Sequence, residues 1–590
     1  MRVFKPRQNG VSFLPPLLRE WRDYSLRAFR CDAQAGVTVA VFAVPQVMAY
    51  AMLAGLAPVQ GLYAAILMSV VAALWGSSPY VNTGPTNSSA LLTAAALASC
   101  PGGDPVTVLL SLTVMVGLFR VAAGGFRLGW IIRYVPESAF LGFTLGAGVL
   151  IAIGQTHHLL GVPAPSIQWV PARLVETLRR LPEAGWAPLL TGLGVLTAML
   201  LLDRFARRWP VAVLAVAGAA GVAALLGPEA GIRLVRDLAP ISGDLPHFGF
   251  RIAGIDQIAE LFPAAVALAV IGLMEAISIG EHLAIKNRKP LNINQEFVGQ
   301  GLSQIATAFF QGFPGSGSFS RSALIEQVGG QTAGANVVFG VVLVAGVLGC
   351  PGLLGLIPVA ALAGLLVYVG LKLVDVRRIR RVFDTSRTDV CVMIVTFIVT
   401  VFVNIQYGLF AGVVTGVLLY VNRGSGLRAY ELVPEGMKLY GERPYEGDVS
   451  HERSDVVAVA LHGDLFFGAA QVLREQLGAI AREQKPSHLI LRMRRVYSID
   501  YSCWNALFDF AEAFHEQGGK LYICGVREDV GRVIRDAGMD RVLAPDQIYA
   551  SSPVPFQAFD AAVRRVLGEL PSDATLGPAW DAHRRRLAEG

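Results

Sequence analysis

Arg321 follows directly on the glycine-rich run Gly312-Phe313-Pro314-Gly315-Ser316-Gly317-Ser318-Phe319-Ser320, inside an otherwise apolar part of the chain. A guanidinium at bilayer depth costs about 2.5–3.5 kcal/mol on insertion scales, so it persists there only for a reason. The residues before it cannot remain helical, because Pro314 removes a backbone donor and three glycines weaken what is left. Irregular backbone at that depth is tolerated only where protein or a watery cavity satisfies it. A short helix beginning near Arg321 therefore aims free N–H groups, a dipole and a fixed cation at one point, which is how an anion site is built. Ser320, Phe319 and the backbone near Ser322 complete that half. The competing reading gives Arg321 a structural role, bonding the broken backbone, and the two are compatible.

A second set of polar residues lies far upstream. Gln46 sits beside Pro45 in the first apolar run, where an unpaired amide is costly, and Tyr50 lies one turn further on the same face. Each reads either as a substrate contact or as an interhelical bond. Thr86, Asn87 and Ser88 open another short helical run; they are suited to donate to an oxyanion, or equally to cap the helix. Glu275 is the carboxylate deep within residues 261–279. Ionised and unpaired it would be expensive, so it reads as a proton carrier or as a fixed ion-pair partner of Arg321.

These groups need a membrane to hold them. Of 590 residues, 53% are hydrophobic and 16% charged, and the mean hydropathy is +0.51, too apolar for a soluble enzyme of this length. Runs at 33–57, 106–123, 187–202, 211–226, 261–284 and 390–403 reach or approach the roughly 20 residues that cross a bilayer. Arginine and lysine cluster at 19–30, 120–133, 204–208, 286–289 and 372–381. The positive-inside rule then places the N-terminus and the hydrophilic C-terminal part in the cytoplasm. No cleavable signal peptide is expected, since residues 1–31 are polar and arginine-rich. The six cysteines are scattered singly, so neither a disulfide framework nor a metal site is suggested.

Two short segments break the series of spans: residues 77–89 with a brief helix to about Ala98, and the run before Arg321 with a helix to about Val328. They occupy the third and tenth places, the layout of an inverted-repeat transporter whose half-helices meet at the midplane. From Asp455 the pattern becomes soluble α/β, with strands expected at 456–461, 487–491 and 520–524 and helices at 469–483, 502–516 and 528–537. The tail after Leu570 reads as polar and loosely ordered.

Val44-Pro45-Gln46-Val47-Met48-Ala49-Tyr50-Ala51 with Leu53-Ala54-Gly55-Leu56-Ala57-Pro58-Val59-Gln60-Gly61-Leu62-Tyr63 resembles the first-helix signature of the sulfate permease (SulP) anion transporters. Thr83-Gly84-Pro85-Thr86 resembles that family's third-segment motif, Ser318-Phe319-Ser320-Arg321-Ser322 its tenth, and Asn294-Gln295-Glu296 the start of its ninth helix. The C-terminal part is similar to the STAS domain of most members. The resemblance implies a polytopic α-helical membrane protein of fourteen segments, a 7+7 inverted repeat of core and gate domains, with a small α/β STAS domain and a homodimer. It implies domains at 1–30 (cytoplasmic), 31–423 (transport), 424–570 (STAS) and 571–590 (polar tail). Members with a carboxylate at the place of Glu275 are proton-coupled symporters.

Other residues read more plainly. His157 and His158 end the fifth span and, being adjacent on a helix, point apart. Glu281 and His282 fall at a solvated helix end, and Glu137 has no assigned role. Ile499-Asp500-Tyr501-Ser502-Cys503 occupies the loop where the family often carries a phosphorylatable serine; with tyrosine and cysteine in place of small residues, Ser502 reads as a helix N-cap. No catalytic triad, phosphate-binding loop or metal cluster appears, so the chain is read as no enzyme and as needing no cofactor or nucleic acid. The expectation is secondary active transport of a sulfate-like anion, bicarbonate or a dicarboxylate in the inner membrane, coupled to protons, with a regulator at the STAS domain. An exchanger, a channel and a receptor are the alternatives.

Overall fold

The computed structural model describes residues 11, 15–17, 24–163, 165, 169–205, 211–239, 241, 243–249, 251–435, 440–445, 454–571 and 573–589. Parts of the first basic cluster, 19–30, and of the third, 204–208, lie outside the described residues. Contacts divide the chain at Gly416/Val417 into two units.

Among the described residues of the first unit, fourteen helical segments form the main series, short connecting helices left aside, and the last of them runs across the boundary. They are α1 Leu26–Leu53, α2 Pro58–Trp75, α3 Asn87–Ser99, α4 Pro105–Gly125, α5 Glu137–Gly154, α6 Trp186–Phe205 and α7 Val211–Leu226. The second seven are α8 Ile255–Asn287, α9 Ile293–Phe309, α10 Phe319–Val328, α11 Gly334–Gly349, α12 Val359–Leu373, α13 Arg387–Ile398 and α14 Ile405–Gly424. Among the described residues, eight helical stretches are long and apolar enough to cross a bilayer. The half-length ones, α3 and α10, stand third in each set of seven, and each follows a two-residue strand, β1 Thr83–Gly84 and β2 Ser316–Gly317. Helix starts follow the sequence: Ser25, Thr86, Asp104 and Asn292 cap α1, α3, α4 and α9 with side-chain oxygens.

Packing sorts the helices into two groups. In one, α9 lies on α4 and α2, α11 on α1 and α2, and α8 on α4 and α3. In the other, α12 lies on α6 and α5, α13 on α5, and α7 on α6. Helix α1 bridges them by also touching α12 and α7. That central place fits its composition from Ala35 onward, small and mostly apolar residues, with both Pro45 and Gln46 buried.

Two expectations are corrected in this unit. Arg120, grouped by sequence with the cytoplasmic cluster, is wholly buried on α4. His157 and His158 do not point apart; the helix breaks at Gln155, and their rings lie 3.9 Å centroid to centroid. Glu281 and His282 are exposed, as is Glu137, whose carboxylate lies 3.9 Å from Arg378.

The second unit is built on a six-stranded sheet. Its strands are β3 Arg428–Pro434, β4 Tyr440–Pro444, β5 Val456–His462, β6 His488–Arg495, β7 Lys520–Val526 and β8 Ile548–Ala550, in the order β4-β3-β5-β6-β7-β8. The last four run parallel, joined by α15 Ala470–Glu483, α16 Tyr501–Glu516 and α17 Glu528–Asp536. The three expected strands and helices are present within a few residues. Missed were the antiparallel β3–β4 edge, β8, and α18 Gln557–Glu569, whose Glu569 is held at about 2 by Lys520, with Tyr522 and Arg565 adding to it. The tail is not loose: Pro578–Glu589 is helical, with Trp580 buried against Tyr440 and Phe559 of the core. Nor does Ser502 cap α16; Asp500 does, accepting from the Cys503 amide at 3.0 Å.

Candidate functional site

The two breaks in the helical series meet. Strands β1 and β2 form an antiparallel ladder, Thr83 opposite Gly317 and Gly84 opposite Ser316. It continues as the Ser318 amide donates to Asn82 O at 2.9 Å. A Cβ on Gly315 would lie 2.4 Å from Gly84 O, so only glycine permits this approach. The remaining backbone groups are satisfied by side chains, as burial at membrane depth requires. Glu296 accepts from the amides of Ser77 (2.9 Å) and Ser78 (3.0 Å). Gln304 bonds both the N–H (3.0 Å) and the carbonyl (3.2 Å) of Gly315, and Asn336 donates to Val81 O at 3.1 Å.

The ladder brings the N-termini of α3 and α10 side by side, with Thr86 Oγ1 3.2 Å from Ser316 Oγ. Thr86 caps α3 and shares a reciprocal bond with Ser89. Ser318 makes no cap bond at α10. The first amides of each helix have no acceptor within it, so both dipoles open onto the same place.

Arg321 stands in the first turn of α10 and is fully buried. Its Nε donates to Asn82 Oδ1 at 2.6 Å, and Asn82 is itself steadied by a 2.8 Å bond to Asn336. One Nη donates to Pro85 O at 3.1 Å. The other, Nη1, is buried with no partner among the described residues. The guanidinium thus ties the broken backbone, while one of its donors stays without a partner among the described residues. Among the described residues no carboxylate lies within ion-pair range of it, so the fixed pair with Glu275 does not form.

Glu275 instead accepts short hydrogen bonds from Ser88 Oγ on one oxygen and Ser316 Oγ on the other. It thus clasps the start of α3 and the strand leading to α10 from α8. Tyr50, 6% exposed on α1, is within electrostatic reach of both Arg321 and Glu275. Gln46 is buried one turn earlier, its Oε1 without a partner among the described residues. Phe319 is 58% exposed and Ser320 is exposed, while Asn87 is half-buried.

One of the expected contacts is corrected. Ser322 belongs to the scaffold: its hydroxyl accepts from the Asn82 amide at 2.8 Å and its own amide donates to Ser318 O at 3.0 Å. Sequence reasoning missed Ser316, Asn82 and Arg120. For Arg120 a signal existed, since it interrupts the apolar run 106–123. Three or more clustered metal-ligating side chains are absent among the described residues.

Comparison with known proteins agrees with this architecture. Residues 29–396 match the sulfate permease family, and residues 449–553 match the STAS domain. A probable sulfate transporter of Mycobacterium tuberculosis is 27% identical over 94% of this chain and 99% of its own length. The bicarbonate transporter BicA of Synechocystis is 26% identical over 89% of this chain and 93% of its own. The structure of murine solute carrier 26 family member A9 in its inward-facing state shares the fold at a TM-score of 0.84 and 20% identity, covering 96% of this chain and 97% of that one. The family is one of membrane anion transporters, not of enzymes. With its model spanning most of the fourteen helices and a STAS domain behind them, this chain belongs to the sulfate permease family.

Proposed function

We propose that the protein is a secondary active transporter of a small anion, sulfate-like, bicarbonate or dicarboxylate, driven by protons. The observation that carries this reading is Arg321 Nη1, a buried donor with no partner, on a cation with no counter-ion among the described residues. Such a charge is costly when empty and is relieved by an anion seated between the two helix N-termini. The free amides of Asn87, Ser88, Phe319 and Ser320 would receive the anion's oxygens, with the Gln46 amide and the Tyr50 hydroxyl closing the site from α1. Thr86 holds the end of α3 in place.

Glu275 would carry the proton. Ionised and bonded to Ser88, it sets a negative charge where the anion must sit; neutralised, it no longer repels. Binding of proton and anion then favour each other, reciprocally and by about 1–3 kcal/mol. Alternating access would come from the α1–α4/α8–α11 group shifting against the other helices. The relatives named as sulfate and bicarbonate transporters support the substrate classes. We place the protein in the inner membrane with both termini cytoplasmic, as a homodimer whose STAS domain meets a regulator. Light scattering of the purified protein tests the dimer.

The deciding experiment reconstitutes the protein in liposomes and screens labelled sulfate, bicarbonate and dicarboxylates under an imposed pH gradient. Accumulation that follows the gradient supports symport. Exchange or current with no pH requirement would instead identify an uncoupled exchanger or a channel.

A further inference from the structure

Arg120 has no part in the site as drawn, yet it is a second wholly buried guanidinium near it. From α4 its Nη1 donates to Gly315 O and its Nη2 to Leu268 O, each at 2.8 Å, while Nε has no partner among the described residues. Gly315 leads into Ser316, whose hydroxyl holds Glu275, and Leu268 lies two turns before Glu275 on α8. A Cβ on Gly272 would sit 1.9 Å from Nη2, so α8 is notched by a glycine where the guanidinium rests. Among the described residues Arg120 has no ion pair.

The groups bearing on Glu275 are few. Arg120 of α4 rests against Gly272, one turn before Glu275 on α8, and Tyr50 of α1 lies near it. From α3 and β2 it meets the hydroxyls of Thr86, Ser88 and Ser316. Arg321 of α10 is bonded to Asn82 and Pro85, and Glu296 of α9 is committed to Ser77 and Ser78.

We infer that Arg120 is a positioning residue, the fixed counter-charge that lets Glu275 release its proton inside the membrane. This rests on the reading of Glu275 as the proton carrier. A proton carrier must both take and give up its proton, and a buried carboxylate without a nearby cation holds on to it. Direct contact between the two groups is not needed for this. A charge fixed nearby in a dry interior suffices, and a guanidinium keeps its charge where lysine would readily lose it. Bonded to carbonyls of both α8 and the residue before β2, Arg120 ties together the two segments that carry Glu275 and its partner Ser316.

The test is the pH profile of proton-driven uptake. Arg120→Met should move its midpoint upward by about one pH unit, a tenfold lower proton concentration, because Glu275 then stays protonated to higher pH. Arg120→Lys, whose ammonium is more readily neutralised in a dry interior, should restore the midpoint only in part. Gly272→Ala, which displaces the guanidinium without removing its charge, should move the midpoint in the same direction by less, and it decides alone if Arg120→Met does not fold. A folded Arg120→Met protein, monodisperse and still stabilised by anion, with an unchanged midpoint would reduce Arg120 to a backbone tie. Glu275→Gln separates the two readings. If its uptake still follows the proton gradient, the role of Glu275 fails; if it is pH-flat while Arg120→Met is unshifted, only the role of Arg120 fails.

Discussion

Helices α3 and α10 occupy equivalent places in the two sets of seven and begin side by side, yet they are built differently. The start of α3 is neutral and capped: Thr86 caps it, Ser89 answers the cap, and the Ser88 hydroxyl is given to Glu275. The start of α10 is charged and open: Ser318 makes no cap bond, Phe319 and Ser320 are exposed, and Arg321 has a donor to spare. Under the proposed function this difference gives the two halves separate tasks. On this view α3 reports the protonation of Glu275, and α10 supplies the attraction for the anion.

The largest effect expected from that division is at Arg321. Arg321→Ala should weaken anion binding roughly thirtyfold or more at every pH, from the about 2–5 kcal/mol that truncating a buried charged hydrogen-bonding partner costs. It should also lower the melting temperature, since Asn82 Oδ1 and Pro85 O lose their donor. Calorimetric titration with wild-type affinity in this variant would remove α10 from the anion's side of the comparison.

Glu275→Gln should leave binding in place while abolishing accumulation driven by a pH gradient. Side-by-side binding and uptake measurements sharpen the contrast, because the loss must appear in one and not in the other.

A smaller effect distinguishes the two helix starts as such. Thr86→Ala removes a cap and should cost about 1 kcal/mol of stability, whereas Ser318→Ala should cost only a few tenths. Equal losses in thermal melts would mean that the two ends are held alike. The smallest expectation is no change: truncation after Arg423 should leave anion affinity intact, all proposed contacts lying upstream. A folded truncated protein without affinity would show the site misplaced.

Much of the helical layout was legible because it rests on local rules. Pro314 and the glycines of 312–317 forbid helix, Thr86 invites it, and a guanidinium within an apolar stretch demands a purpose; these marked both breaks and Arg321. The parallel strands of the STAS domain were legible for the same reason, as short apolar runs between amphipathic helices. The docked tail helix was not, since its hold rests on scattered contacts such as Trp580 in the core and Arg584 on the carbonyls of Leu570 and Pro571.

The sequence by itself determined that two half-helices interrupt a membrane bundle and that one of them carries a cation. Only the tertiary structure decided what those interruptions do together. Thr83 lies opposite Gly317, Ser316 bonds Glu275, and Arg120 reaches Gly315, because residues some 40 to 230 positions apart are brought within bonding distance. The chain's local preferences state which backbone groups must be left unpaired. Which side chains then satisfy them, and which donors are left without a partner among the described residues, follows from packing between distant helices, and that pairing has no local signature.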